Sequence, residues 1–216
     1  MADFNQLFDQ WANTYDNTVF STDNEYTQVF ERYETTLQSI CDAIQDKKQG
    51  LTLEIGVGTG NLTKHLEQQG FQVIGIEPSK QMRRIAKDKL PHIEIVDGHF
   101  LSIPVAKTFD SIVTSYAFHH LNLEEKHQAL TYLDSFLNQS GKIVIADTMF
   151  ESEEYKRELL NKVEKDRAYN LLEDLKAEYY EYINDITDIF LNLGYSFTIS
   201  KMNKYVWIIC ATKGGL

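Results

Sequence analysis

The chain has 216 residues, 43% hydrophobic and 25% charged, a composition that suits one soluble globular domain with a real core. Its 32 acidic against 21 basic residues, net −11, carry no electrostatic footprint for neutralising phosphates and argue against a nucleic-acid partner. Cys41 and Cys210 stand far apart without metal-ligand or CxxC spacing, so they read as buried thiols rather than as a disulfide framework or a metal site.

The N-terminus lacks a basic segment followed by an apolar one, and no apolar run reaches the length of a membrane span, so a cytoplasmic protein with no membrane contact is expected. Residues 4–44 are helical in character, interrupted by a loop-like cluster of Asn, Thr, Ser and Asp over residues 17–24. After Gly50 the pattern alternates. A buried strand is predicted over 51–55, a helix over 61–69 stopped by Gly70, and a strand over 71–77. A helix over 79–90, capped by Ser79 and stopped before Pro91, leads to a short strand over 92–96 and another over 109–115. Residues 123–138 read as a helix, Gly141 as a turn and 142–147 as a strand. The stretch 151–193 holds one or two charged, Tyr-rich helices ending at Gly194, and 195–201 and 205–213 form a hairpin around the turn at 202–204. These elements predict an α/β fold: a doubly wound, Rossmann-like, mostly parallel seven-stranded sheet with helices on both faces and a C-terminal antiparallel hairpin. One domain over 1–216 is expected, with a helical cover (1–49), a core (50–149), a helical insertion (150–194) and the hairpin (195–216).

In such a sheet, ligands bind at the carboxyl ends of the strands, where the strand order reverses. The first of those ends carries Gly56, Gly58 and Gly60, three glycines in five positions. Glycine is costly to order, so this density marks a required backbone shape or a close approach to a ligand, against the plainer reading of a tight turn alone. A dinucleotide fingerprint would need its last glycine where this chain has Asn61, which disfavours pyrophosphate. Glu77 follows Gly56 by 21 residues at the second strand end, a place from which a carboxylate can accept both ribose hydroxyls.

The stretches LEIGVGTG, GIEPSKQM and FDSIVTSYAFHHL resemble motifs of the class I methyltransferases that use S-adenosylmethionine, over about residues 51–149. FDQWANTYD and MNKYVWIICATK extend the likeness to the YrrT-like group over nearly the whole chain. This resemblance implies that Gly56, Gly58, Gly60 and Asn61 lie under the methionine and ribose parts of the cofactor. Glu54 would shape that loop, a candidate partner for the amino group. Glu77 would hold the ribose, Pro78 and Met82 would flank the adenine, and Tyr15 would close over the carboxylate. The group's third strand ends in Gly-Asp before an apolar residue, but here the order is Asp97, Gly98, His99, Phe100. Three readings stay open for the adenine amine: Asp97 reaches it, His99 accepts it, or the main chain recognises the base. Ser115 and Tyr116 close the fourth strand beside the expected methyl group.

Methyl transfer from a sulfonium is an in-line displacement in which positioning supplies much of the acceleration. A base matters only for a protonated acceptor, and His119, His120, Tyr116 and Asp16 are candidates. No catalytic residue is assigned and no metal is implied. Tyr155, Tyr169, Tyr179, Tyr180, Arg157 and Arg167 could face an acceptor, and the lack of a docking surface favours a small molecule. Two other readings compete: a protein that binds the adenosyl cofactor without catalysis, and a nicotinamide-dependent dehydrogenase.

Overall fold

Along the segment Leu51–Ile55, Leu53 and Ile55 point to one side and Thr52 and Glu54 to the other, and all four are buried. A strand buried on both faces requires cover on both, which is the condition for a parallel sheet flanked by helices. A computed structural model of the chain describes Asp9, Ala12 and residues 15–21 and 24–214, and it has this architecture. In order the elements are α1 (Tyr15–Phe20), α2 (Tyr33–Ala43), β1 (Leu51–Ile55), α3 (Asn61–Gln68), β2 (Gln72–Ile76), α4 (Lys80–Lys89), β3 (Glu94–Val96), β4 (Phe109–Ser115), α5 (Leu123–Asp134) and β5 (Leu137–Thr148). They continue with α6 (Glu153–Lys165), α7 (Tyr169–Ala177), α8 (Ile183–Asn192), β6 (Tyr195–Lys201) and β7 (Val206–Lys213).

The seven strands lie in the order β3-β2-β1-β4-β5-β7-β6. The first five run parallel, and β7 pairs antiparallel with both β5 and β6. The fold is therefore the doubly wound, Rossmann-like one expected. On one face Ile112, Ile143 and Ile145 join Leu53 and Ile55 against Leu130 and Leu133 of α5 and Ile186 and Phe190 of α8. On the other, Val113, Val144, Ala146 and Ile208 meet Leu37 and Ile40 of α2 and Leu62 and Leu66 of α3. Each such side chain removed from water contributes about 1.5–3 kcal/mol, so the two clusters hold the sheet between its helices. Strand order reverses between β1 and β4, and the crevice that this opens is at their carboxyl ends.

Four local expectations are corrected. Residues 17–20 belong to α1 rather than to a loop, and the turns begin at residue 24. The helix predicted over 123–138 stops at Asp134, because Leu137 is drawn into the sheet opposite Phe109. The register then jumps to Ser111 opposite Lys142, so residues 138–141 bulge, with Ser140 at φ 57°. The 151–193 stretch holds three helices rather than one or two, and Cys210 is half-buried where both thiols were expected to be buried. The predicted helix start at Phe4 and most of FDQWAN lie outside the described residues. Among those residues no helix is long and apolar enough to cross a membrane.

The turn that leaves β4 ends in a capping box: Asn122 Oδ1 accepts from Glu125 N at 2.9 Å, and Glu125 Oε2 accepts from Asn122 N at 3.0 Å. Asn122→Ala removes the arm that the Asn122 side chain makes, leaving the one from its backbone N–H, and should cost about 1 kcal/mol, lowering Tm by roughly 2–4 °C in thermal unfolding. An unchanged Tm would mean that packing alone fixes the start of α5.

Candidate functional site

The three glycines of the first loop share left-handed backbone angles, with φ of 76°, 57° and 90° at Gly56, Gly58 and Gly60. Their surroundings differ. A side chain at Gly56 would strike Ala117 Cβ at 2.6 Å, and one at Gly60 would press on Leu90 and Ala86 of α4 from 3.2 Å. At Gly58 a Cβ would meet nothing within 4 Å, because that position opens on a cavity of about 250 Å³ at the switch point. Gly56 and Gly60 thus serve packing, and Gly58 bares main chain to the cavity.

Glu77, at the end of β2, fixes this loop. Its Oε2 accepts from Gly58 N and its Oε1 from Ser79 N, both at 2.8 Å. Burial raises the carboxyl above its ordinary value, while those two N–H groups pull against the rise. Arg83 donates to the carbonyls of Glu77 and Pro78 at 2.5 and 2.7 Å and pairs with Asp97 at 3.0 Å. That pair holds Asp97 outward, its side chain 73% exposed, so Asp97 does not reach the cavity. His99 does line it, as do Pro78, Met82 and Phe100. His99 Nδ1 accepts from Leu101 N at 3.2 Å, so that nitrogen is engaged within its own loop. With Nδ1 taken, Nε2 is the ring nitrogen left to meet a ligand.

The amino-terminal segment closes the opposite wall. Asp16 accepts from Thr59 Oγ1 at 2.6 Å, Asn61 Nδ2 at 3.1 Å and Lys89 Nζ at 2.6 Å. Burial pushes its carboxyl up, but these partners bring it below the ordinary value, so it is a clasp rather than a base. Asp9 does the same for α4, accepting from Ser79 Oγ at 2.5 Å and Gln81 N at 3.0 Å. Tyr15, Tyr33 and Tyr116 line the cavity behind this strap, the last two rings 5.4 Å apart. Tyr116 has φ 52°, unusual for a bulky residue, and its hydroxyl is buried.

Beyond Ser115, Tyr116 and Ala117 the chain turns through Phe118–His120, and two imidazoles stand 4.0 Å apart. His119 Nδ1 meets Asp147 Oδ1 at 2.7 Å, and its backbone N–H reaches Oδ2 at 3.0 Å. Burial pushes the His119 ring down, yet the Asp147 carboxylate brings it above its ordinary value. His120 lines the cavity, and its Nδ1 meets Glu178 Oε2 at 3.2 Å. Burial and the neighbouring His119 charge lower its pKa.

The structure therefore brings Tyr15, Gly56, Gly58, Asn61, Glu77, Pro78, Met82, His99, Phe100, Ser115 and Tyr116 to one cavity. It places Glu54, Gly60, Asp97 and Gly98 outside the lining. Sequence reasoning missed Tyr33, Val57, Thr59, Leu62, Ala117 and Leu121 in the lining. Thr59 stands inside the glycine motif and could have been found there, whereas Tyr33 arrives from a separate helix and carries no local signal. Of the proposed acceptor-facing residues, Tyr180 packs on His119 at 4.8 Å, but Tyr155 donates to Lys204 O at 2.7 Å and Tyr169 is 60% exposed.

The profile of a methyltransferase domain matches residues 52–141. An uncharacterized methyltransferase YrrT of Halobacillus halophilus is 43% identical over 218 residues, covering 99% of both chains. One from Oceanobacillus iheyensis is 44% identical over 212 residues, covering 98% of each. This chain belongs to that methyltransferase family. Solved structures with the same fold include magnesium protoporphyrin IX methyltransferase of Synechocystis with bound S-adenosylmethionine, at TM-score 0.68 and 15% identity over 97% of this chain and 96% of that one. The PH0226 protein of Pyrococcus horikoshii aligns at TM-score 0.69 and 20% identity over 91% and 97%. The sequence expectation of a class I, S-adenosylmethionine-dependent methyltransferase thus agrees with both family and fold.

Glu54 is buried beside Thr63, whose hydroxyl and backbone N–H oppose the rise in its pKa. Burial pushes the Glu54 carboxyl from 4.5 up to about 8, so the folded protein keeps a proton that the unfolded chain has released. Stability then falls as pH rises between those values. Glu54→Gln keeps the neutral shape, so its Tm should match the parent near pH 4.5 and exceed it increasingly toward pH 8. A difference constant across that range would contradict a buried, protonated Glu54.

Proposed function

We propose that this methyltransferase binds S-adenosylmethionine in the cavity between β1, β2 and β4 and methylates a small molecule admitted at the His120 end. The observation that carries the reading is Gly58: its N–H is held by Glu77, and the space beside its Cα is open, a cradle that any side chain would fill. The residues present fit the cofactor. Glu77 keeps acceptor capacity on both oxygens for ribose hydroxyls, Met82 and Phe100 offer apolar flanks for a base, and His99 Nε2 would meet the adenine edge. Three tyrosine rings give the sulfonium end an electron-rich wall of the type that attracts cations.

When bound, the cofactor supplies an electrophilic methyl group on sulfur, and the sulfonium is left as a neutral thioether after transfer. The chain's contribution is to bind, orient and exclude water. Asp16 ties the strap to Thr59 and Asn61 over the loop, and Tyr15, Tyr33 and Tyr116 keep solvent from that end. If the acceptor arrives protonated, the His120 imidazole in the cavity wall, just past the end of β4, is the group that would take the proton. The strapped cavity of about 250 Å³ and the net charge of −11 favour a small acceptor over a nucleic acid.

Gly58→Val fills the cradle and should abolish the thermal stabilisation given by S-adenosylhomocysteine. Gly194→Val is the matched control, since Gly194 has φ 79°, nothing within 4 Å of its Cβ, and lies at the end of α8 away from the cavity. Equal loss in both variants would reduce the effect to backbone strain. Transfer of tritiated methyl from the cofactor into a small-molecule extract, above a heat-killed control, separates the enzyme from a protein that only binds. No labelled product would favour the binder.

A further inference from the structure

We propose that His119, His120 and Glu178 form a binding site for a divalent cation of the imidazole-loving kind, Zn²⁺ or Co²⁺, in the wall of the cavity. One ligand atom from each of the three residues lies within 4.8 Å of the other two. Bonds of about 2.0–2.2 Å to a shared ion bring such atoms closer than that, so only a small inward movement of side chains is required. Two imidazoles and one carboxylate are the donor set of borderline transition ions, whereas Ca²⁺ and Mg²⁺ prefer oxygen alone.

A second observation is independent of that cluster. Asp147, 2% exposed at the end of β5, accepts from His119 Nδ1 at 2.7 Å. An ionised carboxylate can only accept, so it fixes the proton on Nδ1 and leaves the lone pair on Nε2, the outer support found behind metal-bound histidines. The scaffold is also braced. Lys126 Nζ donates to Leu121 O at 2.5 Å and Tyr179 O at 2.6 Å, and Tyr179 N donates to His119 O at 3.2 Å. These bonds tie the segment that carries Glu178 to the two histidines. Three protein ligands leave a fourth position on a tetrahedral ion, and because His120 lines the cavity that position would suit an acceptor bearing an oxygen or sulfur donor. The site does not depend on the adenosyl cofactor, so its test needs neither cofactor nor turnover.

The chelator-stripped full-length protein is titrated with Co²⁺, followed by ligand-field absorption, and with Zn²⁺ by calorimetry. One saturable site per chain is expected. Glu178→Gln and His120→Ala should each weaken it at least tenfold, and Asp147→Asn by about 10–100-fold through the outer support. His127→Ala, an exposed histidine on α5, should change nothing. Absence of a saturable site in the folded parent, or parental affinity retained in Glu178→Gln and His120→Ala, would overturn the proposal and leave His120 and Glu178 as a hydrogen-bonded pair.

Discussion

One carboxylate holds the cavity together. Glu77 takes the Gly58 N–H on one oxygen and the Ser79 N–H on the other, joining the loop after β1 to the turn that starts α4. Hydrogen bonds to a charged group are worth about 1.5–3 kcal/mol, more than neutral ones, and this pair is buried. The position of the second glycine, the cap of α4 and the mouth of the crevice all follow from it. Arg83 braces the same turn from behind through two carbonyls, and in doing so takes Asp97 away from the cavity.

The strap adds a second layer of the same logic. Asp16 and Asp9 are acidic residues from the amino-terminal segment that satisfy donors on the glycine loop and at the start of α4. Cover, loop and helix are thus joined by carboxylates, in a chain whose acidic excess would otherwise only repel. The tyrosines behind the strap are buried enough to hold their hydroxyls neutral, Tyr15 and Tyr116 both well above the usual phenol range through burial. A neutral aromatic wall accepts a sulfonium without a counter-charge that would compete for it.

The parallel core was legible because each strand ended in a residue with one clear job. Gly56, Gly58 and Gly60 announced a loop, Ser79 a cap, and Gly70 and Gly194 helix ends, and the structure has each. Leu137 misled because an apolar residue at helical spacing looks the same whether it faces a helix partner or a neighbouring strand, and only the pairing with Phe109 decides. His99 and Asp97 could be named but not sorted, since the outcome rests on Arg83 and Leu101 N, contacts that spacing does not encode. Glu178 was invisible: it meets His120 across 58 residues, and nothing in its local sequence sets it apart from the other acids of a charged helix. Long-range electrostatics is the part of the site that sequence hides.

The central claim is that bare main chain at Gly58 and the carboxylate of Glu77 together receive an adenosyl sulfonium. Calorimetric titration of the folded parent chain with S-adenosylhomocysteine tests it most directly, with NAD as the comparison ligand. The account expects saturable heat at one molecule per chain for the former and none for the latter. Heat with NAD alone, or with neither, would contradict it.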